Sequence, residues 1–212
     1  MGDDGSVLHM ALLANPEARA GRAAADLERV LGRLQDHGIR PEGLTAASPG
    51  ASTEAARHAV SNGATRLLVL GGDGIMHLAA GALVDTSTVL GAIPAGTGND
   101  FARALGLLTG NLEQRVDTAL LDPAVIDAID VEGRTALTSV IAGFPSEVNA
   151  RANLMSFPKG TARYTIATLL ELPRMRPAEY RIVLDGEAQD LRAPVVVVAN
   201  TRFFGAGMDI CP

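Results

Sequence analysis

The chain has 212 residues, 47% hydrophobic and 20% charged, enough to bury the core of one large domain or two small ones. Its net charge of −6 argues against a general nucleic-acid binder, which needs a basic footprint. The single cysteine, Cys211, excludes an internal disulfide and suits a reducing cytosol, and no apolar run approaches the ~18 residues of a membrane-spanning helix.

Met1–Ser6 fits the loose N-myristoylation pattern, but the acidic pair after Gly2 favours reading residues 1–6 as a disordered leader. Val7 to Ala14 is an apolar strand that stops at the turn signal Asn15-Pro16. Leu27, Val30, Leu31 and Leu34 then recur at helical spacing between Gly21 and His37, and Gly38 ends the helix. A weak strand over Ile39 to Thr45 leads through Ser48-Pro49-Gly50 into a helix over Ser52 to Asn62. Arg66 to Leu70 is a short buried strand, Ile75 to Leu83 a helix and Thr88 to Ile93 a further strand. This alternation predicts an α/β fold with a doubly wound, mostly parallel sheet covered on both faces.

The pattern changes near Asp122-Pro123. Val125 to Val131 and Thr135 to Ile141 read as strands joined by the hairpin signal Glu132-Gly133-Arg134. A helix over Gly160 to Leu172 follows. Tyr180 to Leu184 and Pro194 to Ala199 are strands with an Asp185-Gly186 turn between them. The expected organisation is a nucleotide-binding domain over residues 7–122 and a mainly antiparallel β domain over 123–212, incomplete at its C-terminal end.

Two loops carry chemistry. Gly71-Gly72-Asp73-Gly74 follows one strand and opens a helix, where glycines admit a phosphate close to the backbone and a helix N-terminus offers unpaired N–H groups. A carboxylate at that place, Asp73, points to Mg²⁺ coordination or general-base work. Ala95-Gly96-Thr97-Gly98-Asn99-Asp100 repeats the placement after the next strand. Asp73 and Asp100 then meet at one crevice, an arrangement suited to metal-assisted phosphoryl transfer.

The GGDG stretch followed by IPAGTGNDFARALG resembles the catalytic domain of diacylglycerol kinases and related lipid kinases. Asn15-Pro16 with Gly21 is similar to the family's opening loop, GFPSEVNARAN over 143–153 to the start of its second domain, and NTRFFGAGM over 200–208 to a later glycine-rich stretch. The resemblance implies a phosphofructokinase- and NAD-kinase-like first domain. It implies ATP bound by Asn15, Pro16, Thr45, Gly71, Gly72, Asp73, Gly74, Gly96, Thr97, Gly98 and Asn99, with catalytic Asp73 and Asp100. It implies Mg²⁺ near Asp73 and, as acceptor, the primary hydroxyl of a diacylglycerol-like lipid, whose product is phosphatidic acid. The expected setting is cytoplasmic, peripheral at the inner membrane face.

The chain departs from the family at the site with Ile75 where a Thr is common and His77-Leu78 where Asn-Glu usually follows. His77 is expected on the helix surface or in the nucleotide pocket, not as a base. Asp185-Gly186-Glu187 has the letters of the family's late catalytic segment but lies early, in a predicted turn. The chain ends before that segment, which implies a fragment or a protein without that Glu, and leaves sheet edges that invite pairing, including as a homodimer. Arg151, Lys159, Arg163, Arg174, Arg176 and Arg181, beside Leu154, Met155 and Phe157, form a candidate membrane-docking surface, and Phe203 and Phe204 a second lipid-facing rim. The alternatives are an NAD-kinase-like or sphingolipid kinase, or a non-catalytic nucleotide- or lipid-binding remnant.

Overall fold

The computed structural model describes residues 9–15, 22–157, 161–205 and 207–211, and these described residues form twelve strands and seven α-helices. The leader at 1–6, together with Pro16, Gly21, Lys159 and Ala206, lies outside the described residues. By compactness the chain divides into unit one, Met1–Thr138 with Asn200–Pro212, and unit two, Ser139–Ala199.

Unit one is built on a four-stranded parallel sheet in the order β2-β1-β3-β4, formed by β1 (Met10–Ala14), β2 (Glu42–Thr45), β3 (Arg66–Gly71) and β4 (Val89–Pro94). Alternation of side chains along each strand divides the core between the two faces. Ala11, Leu13, Leu67 and Val69 pack with residues of α2 (Pro49–Ser61) and α3 (Asp73–Leu83). Leu12, Ala14, Leu68, Leu70 and Ile93 pack on the opposite face with residues of α1 (Arg22–Asp36) and α5 (Leu112–Ala119). With both faces covered, the strands read as continuous apolar runs, and the small side chains of Ala56, Ala59, Ala79 and Ala80 let helices lie close to the sheet.

Helix α2 is started by local chemistry: Ser48 is its N-cap, accepting from Ala51 N at 3.2 Å, and Pro49 occupies the first turn. Helix α5 was not expected from the sequence, although Asn111 and Gln114 form a reciprocal capping box at its start. A short α4 (Asp100–Ala104) follows the second glycine-rich loop.

The hairpin β5 (Ile129–Val131) and β6 (Arg134–Ala136) is shorter than expected, turning through Glu132 and Gly133 at φ 51° and 77°. It stays with unit one, because Leu137 is buried in the core beside α3 and Leu137 N donates to His77 Nδ1 at 3.1 Å. The compact division therefore falls at 138/139, beyond the boundary near 122 expected from the sequence. After unit two the chain returns: Asn200 Nδ2 donates to the carbonyls of Asp127 and Leu137 at 2.7 and 3.0 Å, and the hairpin β11 (Phe203–Phe204) and β12 (Met208–Asp209) packs with α4.

Unit two pairs its strands antiparallel. β7 (Ser139–Gly143) joins β10 (Val195–Ala199), and β8 (Ala178–Leu184) joins β9 (Glu187–Ala193) across the Asp185-Gly186 turn. Two expectations change here. The partner of Tyr180–Leu184 is the polar β9, not Pro194–Ala199, and Thr135–Ile141 is divided between β6, which keeps the expected pairing with β5, and β7, which pairs with β10. Strand β9 alternates few apolar residues because most of it is exposed, so it carries no hydrophobic period to detect. Helices α6 (Phe144–Leu154) and α7 (Thr161–Glu171) pack around Val148, Ala152 and Ala167.

Candidate active site

In the order β2-β1-β3-β4 the chain leaves β1 toward one edge and returns to β3 on its other side, so β1 and β3 flank a topological switch point. Loops at their carboxyl ends diverge there and leave room for a ligand. A crevice of about 380 Å³ lies at that place. Asn15 lines it from just after β1, Gly71, Gly72 and Gly74 from the junction of β3 and α3, and Ala95, Gly96 and Thr97 from the loop after β4. Asp26 of α1 and Ser48 and Ser52 of α2 complete its polar wall.

The two glycine-rich loops are physically interlocked. Gly72 and Gly96 approach so closely that a Cβ on Gly96 would collide with Gly72 Cα and lie 2.7 Å from Asn99 Oδ1. Asn99 sits in the left-handed region at φ 56°, a conformation Asn tolerates better than most residues. Its side chain closes the loop on itself, accepting from Gly96 N and donating to Gly96 O, both at 2.9 Å. The link between the loops is Asp73: its two carboxylate oxygens accept from Asp100 N at 3.1 Å and Phe101 N at 3.0 Å. Asp73 thus caps α4 from another element and fixes its own orientation, while Asp100 is buried behind it at 7% exposure. On α5, Arg115 Nη1 donates to Pro94 O at 2.6 Å and braces the end of β4.

Of the residues predicted from sequence, Asn15, Gly71, Gly72, Gly74, Gly96 and Thr97 line the crevice, whereas Asp73, Gly98, Asn99 and Asp100 form its supporting layer. Thr45 ends β2 opposite Ala14 and is exposed; Ala47 and Ser48 line the crevice in its place. Sequence reasoning passed over Asp26, Ser48 and Ser52. The Ser48-Pro49 helix start was a usable signal for the second, since a strand-to-helix loop at the carboxyl edge faces the crevice.

Ile75 and Leu78 both line the crevice, and a Cβ on Gly71 would lie 2.5 Å from Ile75 Cγ2. The two departures from the family pattern therefore give the wall an apolar strip. His77 is not among the lining residues. Its Nδ1 accepts from Leu137 N, its Nε2 lies 3.4 Å from Thr138 Oγ1, and burial pushes its pKa down against the opposing pull of Asp73. It is a neutral clamp between α3 and the chain after β6.

Outside the crevice, the basic set in unit two is partly consumed, since Arg151 pairs with Glu171 and Arg174 lies 4.0 Å from the same carboxylate. Leu154 and Phe157 stand exposed at 88% and 82%. In unit one Phe203 is half-buried, with Arg103 and Arg202 at 6.0 and 5.4 Å from its ring centre.

Among the described residues no group of three or more His, Cys, Asp and Glu is placed to hold a metal by itself. Asp73, whose carboxylate joins the two loops, nevertheless offers the oxygen chemistry magnesium takes, which is one or two carboxylates with phosphates and water in its other positions. Among the described residues no helix is long and apolar enough to cross a membrane.

Residues 9–131 match the diacylglycerol kinase catalytic domain, and residues 138–212 match the YegS C-terminal NAD kinase beta sandwich-like domain. The chain is 37% identical over 212 residues to a diacylglycerol kinase of Mycobacterium tuberculosis, covering 94% of this chain and 67% of that one. It is 26% identical to a diacylglycerol kinase of Bacillus subtilis, covering 95% and 68%. The fold matches a crystal structure of a diacylglycerol kinase from Bacillus anthracis with TM-score 0.72 at 23% identity, over 92% of this chain and 65% of that one. The α/β fold and these matches place the chain in a kinase-like transferase family, with a NAD kinase beta sandwich-like second domain. The chain belongs to the diacylglycerol kinase catalytic-domain family and spans about two thirds of the length of these relatives.

Proposed function

We propose that this protein transfers the γ-phosphate of ATP to the primary hydroxyl of diacylglycerol or a similar lipid, giving phosphatidic acid. The observation that carries the reading is the interlock of the two glycine-rich loops beside the crevice, where the Asp73 carboxylate accepts from Asp100 N and Phe101 N. The N-terminus of α3 supplies N–H groups for phosphate, and Ile75 and Leu78 supply an apolar wall for the nucleoside.

In the proposed reaction the lipid oxygen attacks Pγ, the bond from Pγ to the β–γ bridging oxygen breaks, and ADP leaves. The hydroxyl proton passes to a carboxylate of the Asp73–Asp100 pair. Asp73, held by two backbone donors, keeps its position throughout, so most of the catalysis is positioning and charge stabilisation. Magnesium, held by Asp73 with the phosphates, would neutralise charge on the nucleotide. Access to the lipid is through peripheral contact at the cytoplasmic face, for which exposed Leu154 and Phe157 are the candidate anchors.

The test is transfer of radiolabel from γ-labelled ATP to diacylglycerol, sphingosine or NAD in mixed micelles, with Asp73→Asn and Asp100→Asn as variants. Label in diacylglycerol, lost in both variants, is expected. Label in NAD alone would sink the lipid acceptor. Bound ATP with no labelled acceptor would instead support a binding protein, the reading that the changes at Ile75 and Leu78 favour.

A further inference from the structure

Arg103 has no role in the reaction described above, yet its setting is unusual for a surface arginine. It lies on α4, one turn beyond Asp100, and is exposed. Among the described residues it makes no salt bridge with a carboxylate, although Asp209 stands on the same hairpin and pairs with Arg202. Its guanidinium is instead positioned by neutral groups. The Phe203 ring centre is 6.0 Å from Cζ, the Gly98 carbonyl is 3.5 Å from Nη2, and a Cβ on Gly207 would lie 3.1 Å from Nε. Gly207, at φ +102°, brings the β11–β12 hairpin against the guanidinium. A ring face and a carbonyl fix a guanidinium in place without neutralising it.

Its location gives that charge a purpose. The strand order puts Ala95, Gly96 and Thr97 at the β4 wall of the crevice, and Gly98, which Arg103 approaches, is the next residue along that rim. Asp73 and Asp100 belong to the layer that supports this wall, joined by the bond from Asp100 N to the Asp73 carboxylate. A nucleotide whose reacting end faces these carboxylates carries its terminal phosphate toward the β4 rim. The residues that line this rim, Ala95, Gly96 and Thr97, bring no cationic side chain to meet that charge.

We propose that Arg103 binds the terminal phosphate of the nucleotide, held for that purpose by Phe203 and Gly207 of the returning hairpin. The inference rests on the ATP-dependent reading above. A planar guanidinium grips a phosphate through two N–H groups and neutralises its equatorial oxygens during transfer. The hairpin that follows unit two thereby becomes part of the nucleotide site.

The experiment is calorimetric titration of ATP and ADP, each with magnesium, into wild type, Arg103→Lys, Arg103→Met and Phe203→Leu. Arg103→Met should raise the Kd for ATP roughly 10- to 100-fold while ADP changes by no more than about twofold, since only ATP has the group contacted. Arg103→Lys should recover part of the ATP affinity, and Phe203→Leu should lose part of it. Equal weakening of ATP and ADP, or no change in either, would overturn the assignment. Because both ligands are compared within one variant, a general loss of fold cannot imitate the expected result. Wild type that binds neither nucleotide would bring down the kinase reading, and this inference with it. Wild type that binds ATP and labels lipid, beside an Arg103→Met variant with an unchanged ATP-to-ADP ratio, would remove only the inference.

Discussion

Asp73 serves two purposes at once. As a carboxylate between the crevice-lining Gly72 and Gly74 it is a candidate for the chemistry, and as an acceptor for Asp100 N and Phe101 N it holds α4 in place. Asp73→Asn retains one acceptor oxygen but sets an NH₂ group against a backbone donor. Both labelling and stability are expected to fall, the latter by about 1–3 kcal/mol for an unsatisfied buried group, read from urea unfolding. Asn99 is a purer structural residue: Asn99→Ala removes both bonds to Gly96 and puts alanine at φ 56°. We expect a loss of about 1–3 kcal/mol in urea unfolding, with part of it restored in Asn99→Gly, which accepts the backbone angle. Gly96→Ala pushes the two loops apart, because the new methyl meets Gly72 backbone. Its ATP Kd should rise at least about tenfold in direct titration, with the fold retained, since a shift of the loop disturbs phosphate contacts first.

At the scale of elements, charge joins α1 to α5. Arg29 grips Glu113 with two bonds of 2.9 Å, Arg33 grips Asp117 with bonds of 2.8 and 2.9 Å, and His37 Nε2 lies 2.7 Å from Asp117 Oδ1. The hydrogen bonds from Arg33 and then His37 hold the Asp117 carboxyl down at about 2, against 3.8 when free. A depressed carboxylate pKa contributes stability that is complete above the unfolded value and is lost as pH falls through the folded one. Urea midpoints should therefore fall between pH 4 and pH 2 more steeply in wild type than in Asp117→Asn, and added salt should shrink the difference because the pair is open to solvent. His77 works by burial in the same direction of pH. Its folded pKa lies below 6.5, so its contribution is complete above pH 6.5 and declines on acidification. A drop in urea midpoint between pH 7.5 and 5.5 that disappears in His77→Gln is the expected signature.

For the whole molecule, nucleotide binding should appear as stabilisation. ATP at about a hundred times its Kd adds roughly 2.7 kcal/mol to unfolding, readable as a rise in Tm. Membrane contact is expected to depend more on apolar anchoring than on charge, because Arg151 and Arg174 already share Glu171. Replacing Leu154 and Phe157 with Ser should therefore reduce sedimentation with anionic vesicles more than 0.5 M salt does. The two units also explain why organisation was harder to see than composition. The shift to hairpins begins near residue 123, but Leu137 is buried beside α3 and Asn200 ties the returning chain to Asp127 and Leu137, so compactness divides the chain elsewhere.

What the amino-acid sequence determined alone is whatever local chemistry encodes: apolar runs for β1, β3 and β4, helical periodicity for α1, turn residues at Gly133 and Gly186, and two glycine-rich loops placed at strand ends. The resemblance of those loops to one kinase family followed from the same short segments. Tertiary structure alone decided what lies between distant residues. It paired β7 with β10 and gave β8 the polar β9, choices governed by side chains more than fifty residues away in the first case. It showed Ser48, not Thr45, at the crevice, because a helix cap directs the chain after β2 inward. It turned two separate motifs into one site, through an Asp73 carboxylate that accepts N–H groups no sequence window contains together with it.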